Sequence, residues 1–311
     1  MTGAWWAVTA GVGFGIFQTL NRRAVRGMDV YTATFMQLFI SALVLIAVSL
    51  LTEDLHVLAT ASVWAWLNFS LAGFLHFFVG WTFLNASQKL IGAARTGSLI
   101  GATPLFGAIF AALTLSEFPT LFSIGGILLI VAGVYLVNYA RSPRPAPAAA
   151  IGGGAAIPYL TAKTDSGWRS VLYGLAAALC WSISPTFIRK GLVEIPSPIL
   201  GVTIGFVASV LGYAIVMLIK SRRASIGPIT TDALAFKLIA ALLVGLATWG
   251  RWIALDLAPV AVVLALSLVS VPVVNLLSPL LVGRDLERVT VQVWLGSGLI
   301  VGGSLILILY H

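Results

Sequence analysis

Runs of about twenty apolar residues recur along this chain, and no other feature constrains its folding as strongly. One such run crosses the hydrocarbon core of a bilayer as an α-helix, because only there does every backbone N–H and C=O find a partner within its own segment. A helix-length window places ten runs near 4–22, 30–51, 63–86, 91–115, 119–139, 169–189, 197–219, 234–256, 259–282 and 290–309. These leave short loops and one longer linker within the 311 residues, with no room for a domain outside the membrane. Composition agrees: 59% of residues are hydrophobic, 9% are charged, and mean hydropathy is +1.04, outside the mix of a soluble globular domain. The expected fold is therefore all-α and integral to the membrane. Residues Met1 to Trp6 lack a basic segment and a small-residue cleavage site, so the first run reads as a span and not as a signal peptide.

A net charge of +8 would point to nucleic acid in a soluble protein. Here the 18 Lys and Arg sit between apolar runs, where they set topology and meet anionic lipid, so the expected partner is the bilayer and not nucleic acid. With ten spans the five odd-numbered loops share one side, and all but Arg189, Lys190 and Arg251 of the basic residues belong to them, Lys237 being counted among the loop charges. The positive-inside rule then places those loops in the cytoplasm, with both termini outward, as expected for a multi-pass protein of a plasma membrane such as the bacterial inner membrane. Residues 141–167, which begin Arg141-Ser142-Pro143-Arg144-Pro145 and include Gly152 to Gly154, are too rich in Pro, Ala and Gly to hold one conformation. They divide the chain into a first half, 1–140, a cytoplasmic linker, 141–167, and a second half, 168–311.

The halves match each other. At an offset of 167, Phe14, Thr19, Arg22 and Arg23 meet Trp181, Thr186, Arg189 and Lys190. At 168, Trp81, Ala86, Ala93 and Pro104 meet Trp249, Ala254, Ala261 and Pro272; at 170, Glu117, Thr120, Gly126 and Gly133 meet Glu287, Thr290, Gly296 and Gly303. Five spans per half make the copies antiparallel, and inverted repeats of this kind can rock about a site near the bilayer midplane.

With its stretch from Ala93 to Pro104, then Glu117-Phe118-Pro119-Thr120, Gly125-Gly126 and Gly133-Val134, echoed from Ala258 to Pro272 and from Glu287 to Gly303, the chain resembles the drug/metabolite transporter superfamily, in particular its ten-span EamA-type carriers. The resemblance covers both halves. It implies two inverted five-helix repeats around a central cavity lined by spans 1–4 and 6–9, with spans 5 and 10 peripheral, and export of amino acids or related polar solutes.

Candidate substrate-binding residues are those that are polar or aromatic deep in a span. His76 falls near the middle of span 3, where an ionisable group is expensive and commonly functional. Trp81 and its repeat partner Trp249 are candidate aromatic walls, although Trp also anchors helices at interfaces. Arg251 lies inside span 8, with Asp256 as a candidate neutralising partner and outward snorkelling as the alternative. Gln18, Asn21, Gln37, Thr96 and Trp181 complete the set, and the amides would serve equally well as interhelical hydrogen bonds. Gly11 with Gly15, Gly97 with Gly101 and Gly298 with Gly302 are expected to allow close helix packing. Cys180 reads as a buried, inert thiol, and Glu117 and Glu287 as span-end residues ahead of capping threonines.

None of the ten acidic residues falls at the centre of a span, so the carboxylate-based proton exchange of the four-span small multidrug relatives has no candidate. Proton coupling, if present, is expected through His76, whose unperturbed pKa is about 6.5. No phosphate loop, HExxH sequence or Ser-His-Asp arrangement is recognisable, and neither catalytic residues, metal nor cofactor is expected. The function expected is alternating-access transport of a small-molecule substrate. A channel or non-transporting scaffold stands as the alternative, and an intramembrane enzyme built on His76 lacks a nucleophile.

Overall fold

The structure, a computed structural model, describes residues 2–25, 30–91, 99–140, 168–221, 231–281 and 290–310; the 141–167 linker lies outside them. In chain order the helices are α1 (Thr2–Val25), α2 (Val30–Thr52), a short α3 (His56–Thr60), α4 (Val63–Gly73), a π-helical segment (Phe74–Gly80), α5 (Trp81–Ile91), α6 (Thr103–Leu115) and α7 (Leu121–Ala140). The second half contributes α8 (Trp168–Glu194), α9 (Pro198–Ser221), α10 (Thr231–Leu257), α11 (Val260–Leu266), a 3-10 turn (Ser267–Val269), α12 (Ser270–Leu281) and α13 (Val291–Tyr310). Each apolar run is largely helical where it is described, with a turn at Gly101 and Ala102 inside the fourth. The third is one continuous rod made of α4, the π segment and α5, and the ninth joins α11 to α12 through the 3-10 turn. The short α3 has no counterpart among the sequence runs; it precedes Ser62, whose hydroxyl caps α4 by accepting from Trp64 N at 3.2 Å.

Among the described residues six helices are long and apolar enough to cross a membrane: Thr32–Thr52, Val63–Leu84, Val171–Glu194, Pro198–Ile219, Thr231–Leu257 and Val291–Tyr310. Thr103–Leu115, Leu121–Val137 and Val260–Val274 are shorter apolar helices. The chain is thus an all-helical, multi-pass membrane protein among its described residues.

The main packing runs across the two sequence halves. Helix α1 lies along α10, the α4–π–α5 rod along α8, α2 on α9, α6 on α8 and α11, and α7 on α13. Small residues bring the backbones together, since in lipid the gain comes from van der Waals packing and not from removing apolar surface from water. Gly11 sits against the carbonyls of Leu266 and Ser267, Gly13 against Ala247, and Gly73 meets Gly205 so closely that a Cβ would strike backbone. Between α7 and α13, Gly126 faces the Gly303 backbone and Gly133 that of Gly296, so these helices run antiparallel. The expected Gly298 and Gly302 contact is corrected: nothing lies within 4 Å of a Cβ built at either position. Gly97 lies outside the described residues.

One end of the bundle is tied by charge. Helix α6 stops at Ser116, in the left-handed region at φ 57°, which turns the chain so that Glu117 points back across the bundle. Its Oε1 pairs with Arg189 at 2.8 Å, and its Oε2 accepts from the free N–H of Val260 at the start of α11, 2.9 Å away. Arg189 in turn donates to the terminal carbonyls Leu255 and Asp256 of α10, at 2.6 and 3.0 Å. Two otherwise unsatisfied helix termini, the end of α10 and the start of α11, are thereby joined through Arg189 and Glu117. Thr120 caps α7 as expected, its hydroxyl accepting from Ser123 N at 3.1 Å.

Candidate functional site

His76 sits inside the π-helical segment, flanked by Gly73 and Gly80. A π turn interrupts the regular i to i−4 ladder, costs stability, and recurs where a helix must aim a functional group. Here it accompanies a histidine that is only 6% exposed. Its Nε2 lies 2.7 Å from a terminal nitrogen of Arg251, itself 9% exposed. Guanidinium nitrogens only donate, so Nε2 accepts and the imidazole proton resides on Nδ1. His76 Nδ1 and Arg251 Nε have no protein partner.

Beside Phe77, which meets the imidazole edge-on at 4.9 Å, two aromatic rings wall this pair. The Trp181 ring stacks on His76 with centroids 5.4 Å apart, and its Nε1 donates to the His76 carbonyl at 3.0 Å. That bond uses a carbonyl of the π segment and fixes the imidazole from behind. On the other side the Arg251 guanidinium lies 5.2 Å from the Phe14 ring centre, a cation–π contact with a desolvated cation. The four groups come from α8, the π segment, α10 and α1, so both halves of the chain build the cluster. Phe14 and Trp181 are partners in the sequence repeat, and it is they, not Trp81 and Trp249, that form the aromatic walls. Trp81 packs edge-on against Phe77 at 5.6 Å, and Trp249 is half-buried against the core. Neither Asp256 nor snorkelling accounts for Arg251: Asp256 is exposed, while Arg251 turns inward to His76.

Asn21 and Gln37 belong to a second cluster. Both accept from Lys237 Nζ, at 2.6 and 2.7 Å, and Lys237 is 1% exposed. Lys237 is therefore a span residue and not a loop charge. Fourteen positions separate it from Arg251, about four helical turns and about 21 Å, so the two cations share one face of α10. Gln18 is exposed, Thr96 lies outside the described residues, and Cys180 is half-buried.

Among the described residues no Asp or Glu is buried. Nor does any group of three His, Cys, Asp or Glu side chains there form a metal cage. Of two described cavities, one of about 310 Å³ lies beside Pro272, Leu276, Trp294 and Gly298. The other, about 400 Å³, opens at Glu117, Arg189, Lys190 and Asp256. Neither is lined by His76 or Lys237, whose side chains are packed against their partners. Arg251 and Lys237 are thus two buried, donor-bearing side chains of α10, each bonded to side chains of the first half.

No curated protein matches the chain. Among the solved structures, 29 chains match, one being a crystal structure described only as that of a protein. It superposes with a TM-score of 0.72 over 97% of this chain and 95% of its own, at 21% identity, which shows a shared fold. The model of the EamA-like transporter family matches residues 1–139, somewhat under half of the chain, so the first repeat is similar to that family.

Proposed function

We propose that the protein is a secondary transporter that carries a small polar solute, an amino acid or related metabolite, out of the cell by alternating access. The observation that carries this reading is the buried Arg251–His76 pair, assembled from both halves with aromatic walls and unpartnered donors. A donor-rich lining suits a solute that offers oxygen acceptors. Because the pair spans the interface between halves, rocking one half against the other would open it first to one side and then to the other. The pairings of α1 with α10, of the α4–π–α5 rod with α8, and of α7 with α13 support ten spans arranged as two inverted repeats, 1–140 and 168–311, joined by a cytoplasmic linker.

The test is counterflow. Purified protein in liposomes preloaded with each unlabelled L-amino acid should take up the labelled form transiently against its gradient, with saturation. A channel would give unsaturable flux without counterflow, and a scaffold would move nothing; either result overturns the proposal.

A further inference from the structure

Lys237 ties α10 to α1 and α2 through neutral partners alone. Its ammonium lies in the second turn of α10, near the positive end of the helix dipole, and is 1% exposed. Its two partners, Asn21 and Gln37, are neutral amides. A buried cation normally has a carboxylate partner or gives way to an apolar residue of similar volume, which is often at least as stable. With Arg251 it places two cations on one buried face of one helix, and no buried Asp or Glu among the described residues offsets them. An excess of buried positive charge in a membrane calls for an anion from outside the protein.

We propose that Lys237 is a second binding station, on the cytoplasmic side of the His76 cluster, that receives the carboxylate of the transported solute. The Asn21 and Gln37 carbonyl oxygens, 2.6 and 2.7 Å from Nζ, occupy the seats that two carboxylate oxygens would take, and they hold the ammonium while no solute is there. When the cytoplasmic ends of the halves part, the solute's carboxylate displaces them. About 21 Å further along the same face, Arg251 offers the next cation. A carboxylate is thus met near each end of the helix by a charge that the bilayer would otherwise deny it. The inference rests on the carrier reading and on its orientation.

Counterflow of labelled L-amino acids in inside-out and right-side-out membrane vesicles tests it, for wild type, K237M and Q37E. K237M removes the charge and keeps the volume. Q37E installs a permanent carboxylate beside Nζ that competes with the solute. Both variants should raise KM at least tenfold from the cytoplasmic face and less than twofold from the outer face, while Q37E raises the melting temperature of the empty protein. The amides of the same amino acids should fail to compete from the cytoplasmic face in wild type. Equal KM values for wild type and both variants on that face would make Lys237 structural and leave the carrier reading standing. Equal competition by the amides, or a loss of affinity that is the same from both faces, would likewise overturn the station. If phosphatidylglycerol raises the melting temperature of wild type but not of K237M, the anion held is a lipid headgroup and the solute station is wrong. No counterflow of any amino acid in either vesicle orientation would defeat the carrier reading and this inference together.

Discussion

His76 and Arg251 are bound so that each fixes what the other can do. A proton on His76 Nε2 and the bond to Arg251 are mutually exclusive, so proton uptake there and release of the guanidinium would be a single event. If transport is coupled to protons through this imidazole, His76→Gln, whose amide oxygen can still accept from Arg251, should keep uptake but flatten its pH dependence. Uptake into proteoliposomes with and without an imposed pH gradient checks this, and gradient-driven accumulation in the variant would place the proton elsewhere. Arg251→Met should behave differently. It leaves His76 Nε2 buried without its donor, so it should cost about 1–3 kcal/mol of stability, whereas transport should fall at least tenfold. Transport that survives in the folded variant would show that Arg251 is a packing residue. His76 and Arg251 were conspicuous in the sequence as polar groups deep in apolar runs, but their pairing was not, Asp256 having stood as the expected neighbour of Arg251. Lys237 was not, since a lysine near a span end looks the same whether it reaches out to water or turns inward, and only its bonds to Asn21 and Gln37 decide.

At the scale of the helix, the glycines separate packing from pattern. Small residues four apart suggested Gly298 and Gly302 as a contact face, yet the helix uses Gly296 and Gly303, seven apart, against Gly133 and Gly126. The informative signal was that these four match one another between halves, since a spacing alone does not say which side of a helix is covered. Gly133→Val should therefore overpack the α7–α13 contact and cost about 1–3 kcal/mol, while Gly298→Ala should change little. Thermal unfolding of the purified variants compares them. The π segment was illegible for a similar reason: the sequence Phe74 to Gly80 is apolar and continuous with its neighbours, and the extra residue per turn shows only in the backbone. Glu117 was read as a span-end residue, and the tie it forms needed the fold to bring Arg189 and Val260 alongside. Glu117→Gln keeps some hydrogen bonding but loses the ion pair, so about 1 kcal/mol of stability should go with it, and a cysteine placed at Leu115 should react faster with an impermeant maleimide.

For the whole molecule, orientation is the first matter to test. Leu55 is exposed in the segment between α2 and α3, and Ser142 is the second residue of the linker. In a Cys180→Ser background, a cysteine at Leu55 should react with an impermeant maleimide in whole cells and one at Ser142 should not. The reverse would invert the protein in the membrane. The order of helices was almost fully legible, because apolar runs of this length have one solution in lipid; how they pair was not, because lipid hides no surface and leaves hydropathy uniform around each helix.

That cross-pairing also sets a timetable for synthesis. Helices α1, α2, α6 and α7 each find their main neighbour in residues made later. At roughly 5–20 residues per second, the ribosome needs on the order of 10–30 s to finish residues 141–311, and throughout that interval the first half stands in the membrane with its glycine grooves open to lipid. A cell making this protein must therefore keep a half-built groove from closing on the wrong helix, and two separately expressed halves should find each other in the bilayer without any linker at all.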